Sequence, residues 1–225
     1  MKKRILVLIL VAMGLFSCKQ DKKSTQVTVD IKTLDSVKNT ENKKQLAASK
    51  FIYTKYEYKD SKGTSLIIEN SLPKGGKRYT DPNGHEYVYA VFWTRITNET
   101  TNPLELKIDF PPDSYEIPSL PGKYYKTLIP SDTMTTEKIS LFNYGLTNLD
   151  PFFDKNIGKP SSLKRTINPK ESSAFYIVAL RLIGGDQYDV LRTELSLKGQ
   201  NLFYKVRDKE IQCGSINLKN LTLQK

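Results

Sequence analysis

The chain has 225 residues, 35 Lys and Arg against 24 Asp and Glu, a formal charge of +11, one histidine and two cysteines. So few His and Cys residues fall short of the ligand set that zinc sites use, and any Ser-His-Asp or Cys-His arrangement would have to be built on one imidazole. Two cysteines also exclude a disulfide framework, so stability has to come from a packed core.

Lys2, Lys3 and Arg4 precede an apolar run from Ile5 to Phe16 that ends at Ser17-Cys18. The run is far shorter than the ~20 apolar residues a membrane-spanning helix needs, so it reads as the apolar region of a cleaved export signal. Leu15-Phe16-Ser17-Cys18 resembles the lipobox of bacterial lipoproteins of the Gram-negative outer-membrane type. That resemblance covers residues 1–18 only. It implies that Cys18 becomes the first residue of the mature chain and carries the lipid, so that the protein reaches the membrane through a lipid anchor. It also implies sorting to the outer membrane, because Lys19 rather than Asp follows the cysteine. The single acid in Lys19-Gln20-Asp21-Lys22-Lys23 points to the periplasmic face.

Removing residues 1–18 takes away three of the 35 basic residues and none of the 24 acidic ones, leaving a formal charge of +8. Basic chains meet nucleic acid, anionic lipid or anionic polysaccharide, and export argues against nucleic acid. Lysine outnumbers arginine, which suits a hydrated surface rather than bidentate recognition.

Residues 19–50 are rich in Lys, Asp, Ser, Thr, Asn and Gln and read as a flexible tether, with Val27, Val29 and Ile31 alternating as one short strand would. Asp35-Ser36-Val37 and Asp132-Thr133-Met134 resemble an O-glycosylation acceptor motif that some Gram-negative bacteria use on exported proteins.

From Phe51 onward the pattern has the period of strands. Leu104, Leu106, Ile108 and Phe110 alternate with Glu105, Lys107 and Asp109, and Leu191, Thr193, Leu195 and Leu197 alternate with Arg192, Glu194 and Ser196. Each describes a strand with one buried and one wet face. From Tyr87 to Thr97 both faces start apolar: Val88, Ala90, Phe92 and Ile96 share one, and Tyr87, Tyr89, Val91 and Trp93 share the other. Such a strand is central and covered on both sides as far as Arg95.

Asp81-Pro82-Asn83-Gly84 predicts a hairpin turn between Tyr79-Thr80 and Tyr87-Val88, with Asn-Gly in left-handed positions, and Lys198-Gly199-Gln200-Asn201 predicts a second. Ile211 and Cys213 share one parity while Ile216 and Leu218 share the other, so a bulge at Gly214 is expected, with Cys213 a small buried hydrophobe. Strands over 51–58, 65–69, 87–97, 104–110, 172–182, 190–197, 202–206 and 211–218 predict an all-β domain. Its architecture is an antiparallel β-sandwich, immunoglobulin-like or similar, over residues 51–225.

An insertion at about 110–160 interrupts this rhythm, holding seven of the eleven prolines and eight of the 22 Phe and Tyr residues. Within it, 135–144 before Gly145 reads as a short helix, Asp150-Pro151 as the N-cap and first position of another, and Leu120-Pro121-Gly122 as an exposed turn. Tyr115, Tyr124, Tyr125 and Tyr144, with Lys123 and Lys126, are the candidate binding residues: an aromatic platform with cationic edges suits sugar faces and protein hot spots alike. Alternatively, these rings pack the insertion onto the sandwich.

Catalytic chemistry is poorly supplied. His85 lies in the predicted hairpin. Asp109, Asp113 and Glu116 flank the insertion, and Asp186 and Asp189 follow Gly184-Gly185, so a paired-carboxylate hydrolase is conceivable; the alternative is solvated loop acids and caps. Neither Asp81-Pro82-Asn83-Gly84 nor the segment 184–189 has the ligand spacing of a calcium loop. The sequence therefore predicts a non-enzymatic protein-binding module or envelope-complex accessory, with no cofactor, no metal and an unidentified protein partner. A glycan-binding module is the alternative, and a carboxylate-dependent hydrolase comes third.

Overall fold

Alternating burial along the strands sorts the chain into two antiparallel sheets. The computed structural model describes residues 49–59, 61, 63–184 and 190–217. The signal, the tether up to residue 48, the alternating Val27-Val29-Ile31, the acceptor-like Asp35-Ser36-Val37, Asp186, Asp189 and Leu218 lie outside the described residues.

The strands are β1 (Ile52–Lys59), β2 (Ser65–Ser71), β3 (Lys74–Thr80), β4 (Glu86–Asn98), β5 (Leu104–Phe110), β6 (Tyr115–Ile117), β7 (Leu120–Leu128), β8 (Ser161–Ile167), β9 (Ser172–Leu182), β10 (Thr193–Lys198), β11 (Asn201–Val206) and β12 (Lys209–Asn217); α1 spans Leu149–Asn156. One sheet runs β1-β2-β4-β9-β7-β6, with β3 also on β4; the other runs β10-β11-β12-β5-β8. β2 and β3 share one edge of β4: β2 pairs residues 94–98 and β3 pairs residues 86–91. β9 covers the whole opposite edge, from Tyr87↔Leu182 to Thr97↔Ser172. The fold is all-β and sandwich-like, with a small helical insertion.

Two apolar clusters follow from the two-faced β4. Phe92 and Ile96 join Leu66, Ile108, Ile177 and Leu195 between the sheets, while Tyr89, Val91 and Trp93 meet Met134, Tyr144 and Phe153 on the outer face. The insertion is therefore a cover for that outer face, and it exists because β4 and β9 present apolar side chains there. Without it, a row of Tyr, Val and Trp would face water.

The eight strands expected from residue 51 onward are present, the one expected from residue 190 beginning at Thr193, and β3, β6, β7 and β8 are additional. β8 (SSLKRTI) has a weak apolar period, with Leu163 and Ile167 as its apolar inward side chains; it is fixed by full pairing with β5, from Leu104↔Ile167 to Phe110↔Ser161. The β12 bulge falls where expected: Leu202 pairs Gly214 and Phe203 pairs Gln212, so Cys213 is the extra residue. A Cβ on Gly214 would lie 2.0 Å from the Lys107 carbonyl oxygen, so only glycine fits.

Three local expectations are corrected. Residues 135–144 form no helix; two short 3-10 turns, Thr136–Lys138 and Phe142–Gly145, stand there, with Asn143 and Tyr144 left-handed at φ 48° and 55°. Tertiary packing overrides helix propensity here, because the Tyr144 ring is wholly buried, edge-on to Trp93. The helix expected from Asp150 begins earlier, with Asn148 as its N-cap at φ 53° and Asp150 in its first turn. Pro151 is tolerated because first-turn N–H groups have no intrahelical partner. The exposed turn falls on Pro118-Ser119, closing an Ile117↔Leu120 pair, and Leu120-Pro121-Gly122 opens β7.

Candidate functional site

The outer-face side chains of β4 run Tyr87, Tyr89, Val91, Trp93, Arg95 and Thr97, and the insertion covers them only as far as Trp93. Beyond that point the sheet is bare, and a cleft of about 610 Å3 opens between it and the 134–139 turn. β1 and β2 contribute Lys55 and Glu69, β4 contributes Arg95 and Thr97, β9 contributes Ser172, and Met134 and Ile139 form the opposite wall.

The cleft floor is held by charge. Arg95 donates from Nε (2.7 Å) and Nη2 (2.6 Å) to the same Oε2 of Glu69, and Lys55 Nζ stands 3.9 Å from Glu69 Oε1. Glu69 is only 8 % exposed, and an unpaired carboxylate so placed would be costly. The Arg95 guanidinium also lies 5.6 Å from the centre of the Trp93 ring, a favourable cation-π arrangement. Thr97 and Ser172 hydroxyls bond each other at 2.8 Å across the strand pair. Trp93 is 1 % exposed, and its indole N–H has no acceptor among the described residues. The arrangement supplies fixed donors, an acceptor and hydroxyls on a rigid sheet, which is the equipment of recognition.

His85 is not part of it. It stands just ahead of β4, ten positions before Arg95 and about 30 Å away at strand rise. Its ring Nδ1 is 3.0 Å from Asp81 Oδ2, while Asp81 Oδ1 accepts the backbone N–H groups of Asn83 and His85. Burial raises the Asp81 pKa, but the hydrogen bonds from the His85 backbone and ring and the Asn83 backbone outweigh it, so the carboxyl titrates below its ordinary value. Asp81 thus organises the predicted hairpin. Gly84 takes the left-handed position at φ 82°, and Asn83 does not share it.

The structure divides the six sequence-predicted binding residues. Tyr115 and Tyr125 point between the sheets, 2 % and 3 % exposed, with the Tyr115 hydroxyl donating to the Tyr204 carbonyl. Tyr144 is wholly buried on the outer face, and its hydroxyl donates to the Leu72 carbonyl at 2.6 Å. Burial pushes the Tyr115 and Tyr144 hydroxyls up from their ordinary values. The platform of four tyrosines is therefore not formed, since Tyr115, Tyr125 and Tyr144 are buried. Tyr124, Lys123 and Lys126 do come together, with His85 and Asp113, around a hollow of about 270 Å3. Lys126 there pairs with Asp113.

Two further carboxylate candidates among the described residues have structural partners. Asp109 pairs with Lys107 at 3.1 Å, and Glu116 accepts the Gly122 N–H at 2.8 Å. Thr133 of the acceptor-like Asp132-Thr133-Met134 is exposed. Sequence reasoning missed the cleft residues Glu69, Arg95 and Lys55. The available signal was Arg95 itself, the first charged side chain on an otherwise apolar strand face.

No helix among the described residues is long and apolar enough to cross a membrane. No family model, no curated protein and no solved structure matches this chain.

Proposed function

We propose that the chain is a non-enzymatic binding module, held at the outer membrane by lipid on Cys18, that takes a segment of a protein partner into the cleft beside the 134–139 turn. The reading is carried by the Arg95–Glu69 pair, fixed at 2.6 Å on a rigid sheet in a cleft that the insertion leaves uncovered. Its donors and acceptor are directed and pre-organised, which suits peptide recognition, and the chain's one imidazole lies at the other end of β4. The lipid anchor and the outer-membrane placement rest on Leu15-Phe16-Ser17-Cys18 and Lys19 alone.

The test is a pull-down from solubilised envelopes of the source organism with the chain from Lys19, compared with a Ser172→Arg variant. Ser172 is exposed and lines the cleft, so arginine there blocks the site without entering the core. A defined protein retained by the parent and lost with Ser172→Arg supports the reading; equal retention by both removes the cleft from it.

A second reading, an acidic-glycan site, is favoured by the Tyr124, Lys123 and Lys126 hollow. An aromatic face with cationic edges stacks on a sugar while pairing its carboxylate or sulfate. Tyr124→Ala and Lys123→Ala would each abolish retention on an acidic-polysaccharide column.

A further inference from the structure

Asn143, Tyr144 and Gly145 are successive left-handed residues, with φ of 48°, 55° and 72°. Such backbone is an outlier for a bulky side chain and persists only where the surroundings over-determine it. Here they do. The buried Tyr144 donates its hydroxyl to the Leu72 carbonyl, and its own carbonyl accepts the Tyr176 hydroxyl at 2.7 Å. Lys74 Nζ donates to the carbonyls of Ile139 and Leu141 at 2.6 and 2.8 Å, and lies 4.4 Å from the centres of both the Phe51 and Tyr144 rings.

The consequence is what this turn presents. With Tyr144 pinned inward, Leu141 and Phe142 face solvent at 51 % and 56 % exposure, the one adjacent pair of large exposed hydrophobics among the described residues. A basic side chain stands over them. Lys77 Nζ lies 4.9 Å from the centre of the Phe142 ring, while the Lys138 stem lies beside Leu141 against Gly145 and its ammonium donates to the Thr133 carbonyl at 2.8 Å. Glu137 is the acid in the same stretch.

We propose that Leu141 and Phe142 form a wedge that enters an anionic lipid surface, with Lys77 at the headgroups. Two adjacent apolar tips with the Lys77 ammonium over Phe142 match the interface between acyl chains and anionic headgroups, where a lysine stem lies along the apolar layer and its ammonium reaches the polar one. A protein hot spot would instead combine the apolar anchor with directed polar groups. The carbonyls of Ile139 and Leu141 are already taken by Lys74, and the formal charge of +8 on the chain from Lys19 reinforces attraction to anionic lipid. The wedge gives the tethered domain a fixed orientation on the bilayer. That use rests on the lipid-anchored reading, but the wedge's lipid affinity does not.

The experiment is co-sedimentation of the chain from Lys19 with vesicles of phosphatidylethanolamine and phosphatidylglycerol, beside vesicles of phosphatidylcholine alone. Both apolar clusters close between Phe51 and Ile216, so this chain keeps every cluster contact and carries no lipid of its own. The expected result is salt-sensitive binding to the anionic vesicles. It falls about tenfold or more in Leu141→Ser/Phe142→Ser, as removal of two inserted side chains requires, and falls also in Lys77→Glu, with melting temperatures unchanged. Absence of binding by the parent chain overturns the proposal. So does binding that survives Leu141→Ser/Phe142→Ser, which would be general basic attraction. Loss of a captured envelope protein by that double variant, with no vesicle binding by either chain, would assign the wedge to a protein and overturn the lipid reading. Ser172→Arg leaves vesicle binding intact, so failure of the cleft and failure of the wedge are read separately.

Discussion

The side chain of Asn70 on β2 binds both backbone groups of Leu195 on β10: Nδ2 donates to the Leu195 carbonyl at 3.0 Å, and Oδ1 accepts the Leu195 N–H at 2.9 Å. The two residues belong to different sheets, so an amide side chain here imitates a strand pair across the core. Thr94 and Thr54 complete the amide's bonding at 3.0 Å each. Two positions on, the Leu197 N–H donates to the Tyr58 hydroxyl at 2.8 Å. The outer edge of β10 is thereby closed against pairing with another chain, the hazard of any open strand.

Asn70→Ala strands three buried polar groups at once, the Leu195 N–H and carbonyl and the Thr94 hydroxyl. Each unsatisfied group is expensive, and the loss expected in urea unfolding is about 2–4 kcal/mol. Asn70→Asp fares no better, because it keeps the acceptor, loses both donors and buries a charge. An Asn70→Ala variant as stable as the parent would show that this bridge does not join the sheets.

Gly214→Ala forces a methyl against the Lys107 carbonyl oxygen at 2.0 Å, so β12 must move off β5. The cost expected is about 2–3 kcal/mol. Gly158→Ala is the control: a Cβ there meets nothing within 4 Å, and the change stays within about 0.5 kcal/mol. Denaturation midpoints of the two variants side by side read the difference.

Asp81 makes the hairpin acid-sensitive. Its folded pKa lies below the ordinary carboxylate value of 3.8, so above that value its ionised form stabilises the fold. The contribution is lost as pH falls through the folded pKa, where the native state also takes up the proton. Asp81→Asn therefore melts lower than the parent at pH 7, and the gap narrows below about pH 4. A gap independent of pH would mean that the carboxylate charge is not what holds the turn.

In the chain from Lys19, Cys213 is the single thiol. It is 4 % exposed, and burial pushes its pKa up to about 12 from 9.0. Because the raised value favours the protonated thiol in the fold, this contribution is complete below pH 9.0 and declines towards about 12. At pH 8 a disulfide reagent should label Cys213 only as fast as the domain opens, with immediate labelling in denaturant. Rapid labelling of the folded chain would place the thiol at the surface.

Much of the sandwich was legible because strand period is a local property. Leu104 to Phe110 alternate strictly and form β5 as read, and the doubled apolar parity from Tyr87 to Trp93 marked β4 as central with a cover on both sides. The mismatch of parity between Ile211 and Ile216 even located the bulge at Cys213-Gly214. β3 was legible only as a flank of the hairpin, since Lys74-Gly75-Gly76-Lys77-Arg78 has no apolar period and depends on β4 for its pairing.

The candidate site was mostly illegible, and the reason is physical. A ring in a proline-rich loop goes wherever a complementary surface is found, and its neighbours in sequence do not say which. Tyr115 and Tyr125 entered the space between the sheets, Tyr144 entered the outer cluster, and Tyr124 alone of the four stayed partly open beside Lys123 and Lys126. The pairing of Glu69 with Arg95, 26 positions apart, depends on β2 and β4 being neighbours, which is decided by sheet order. The sequence by itself determined which residues face the core, because alternation is dictated by the backbone every two residues. Tertiary structure decided which charges meet and which aromatic rings stay exposed, because those follow from contacts between segments far apart in the chain.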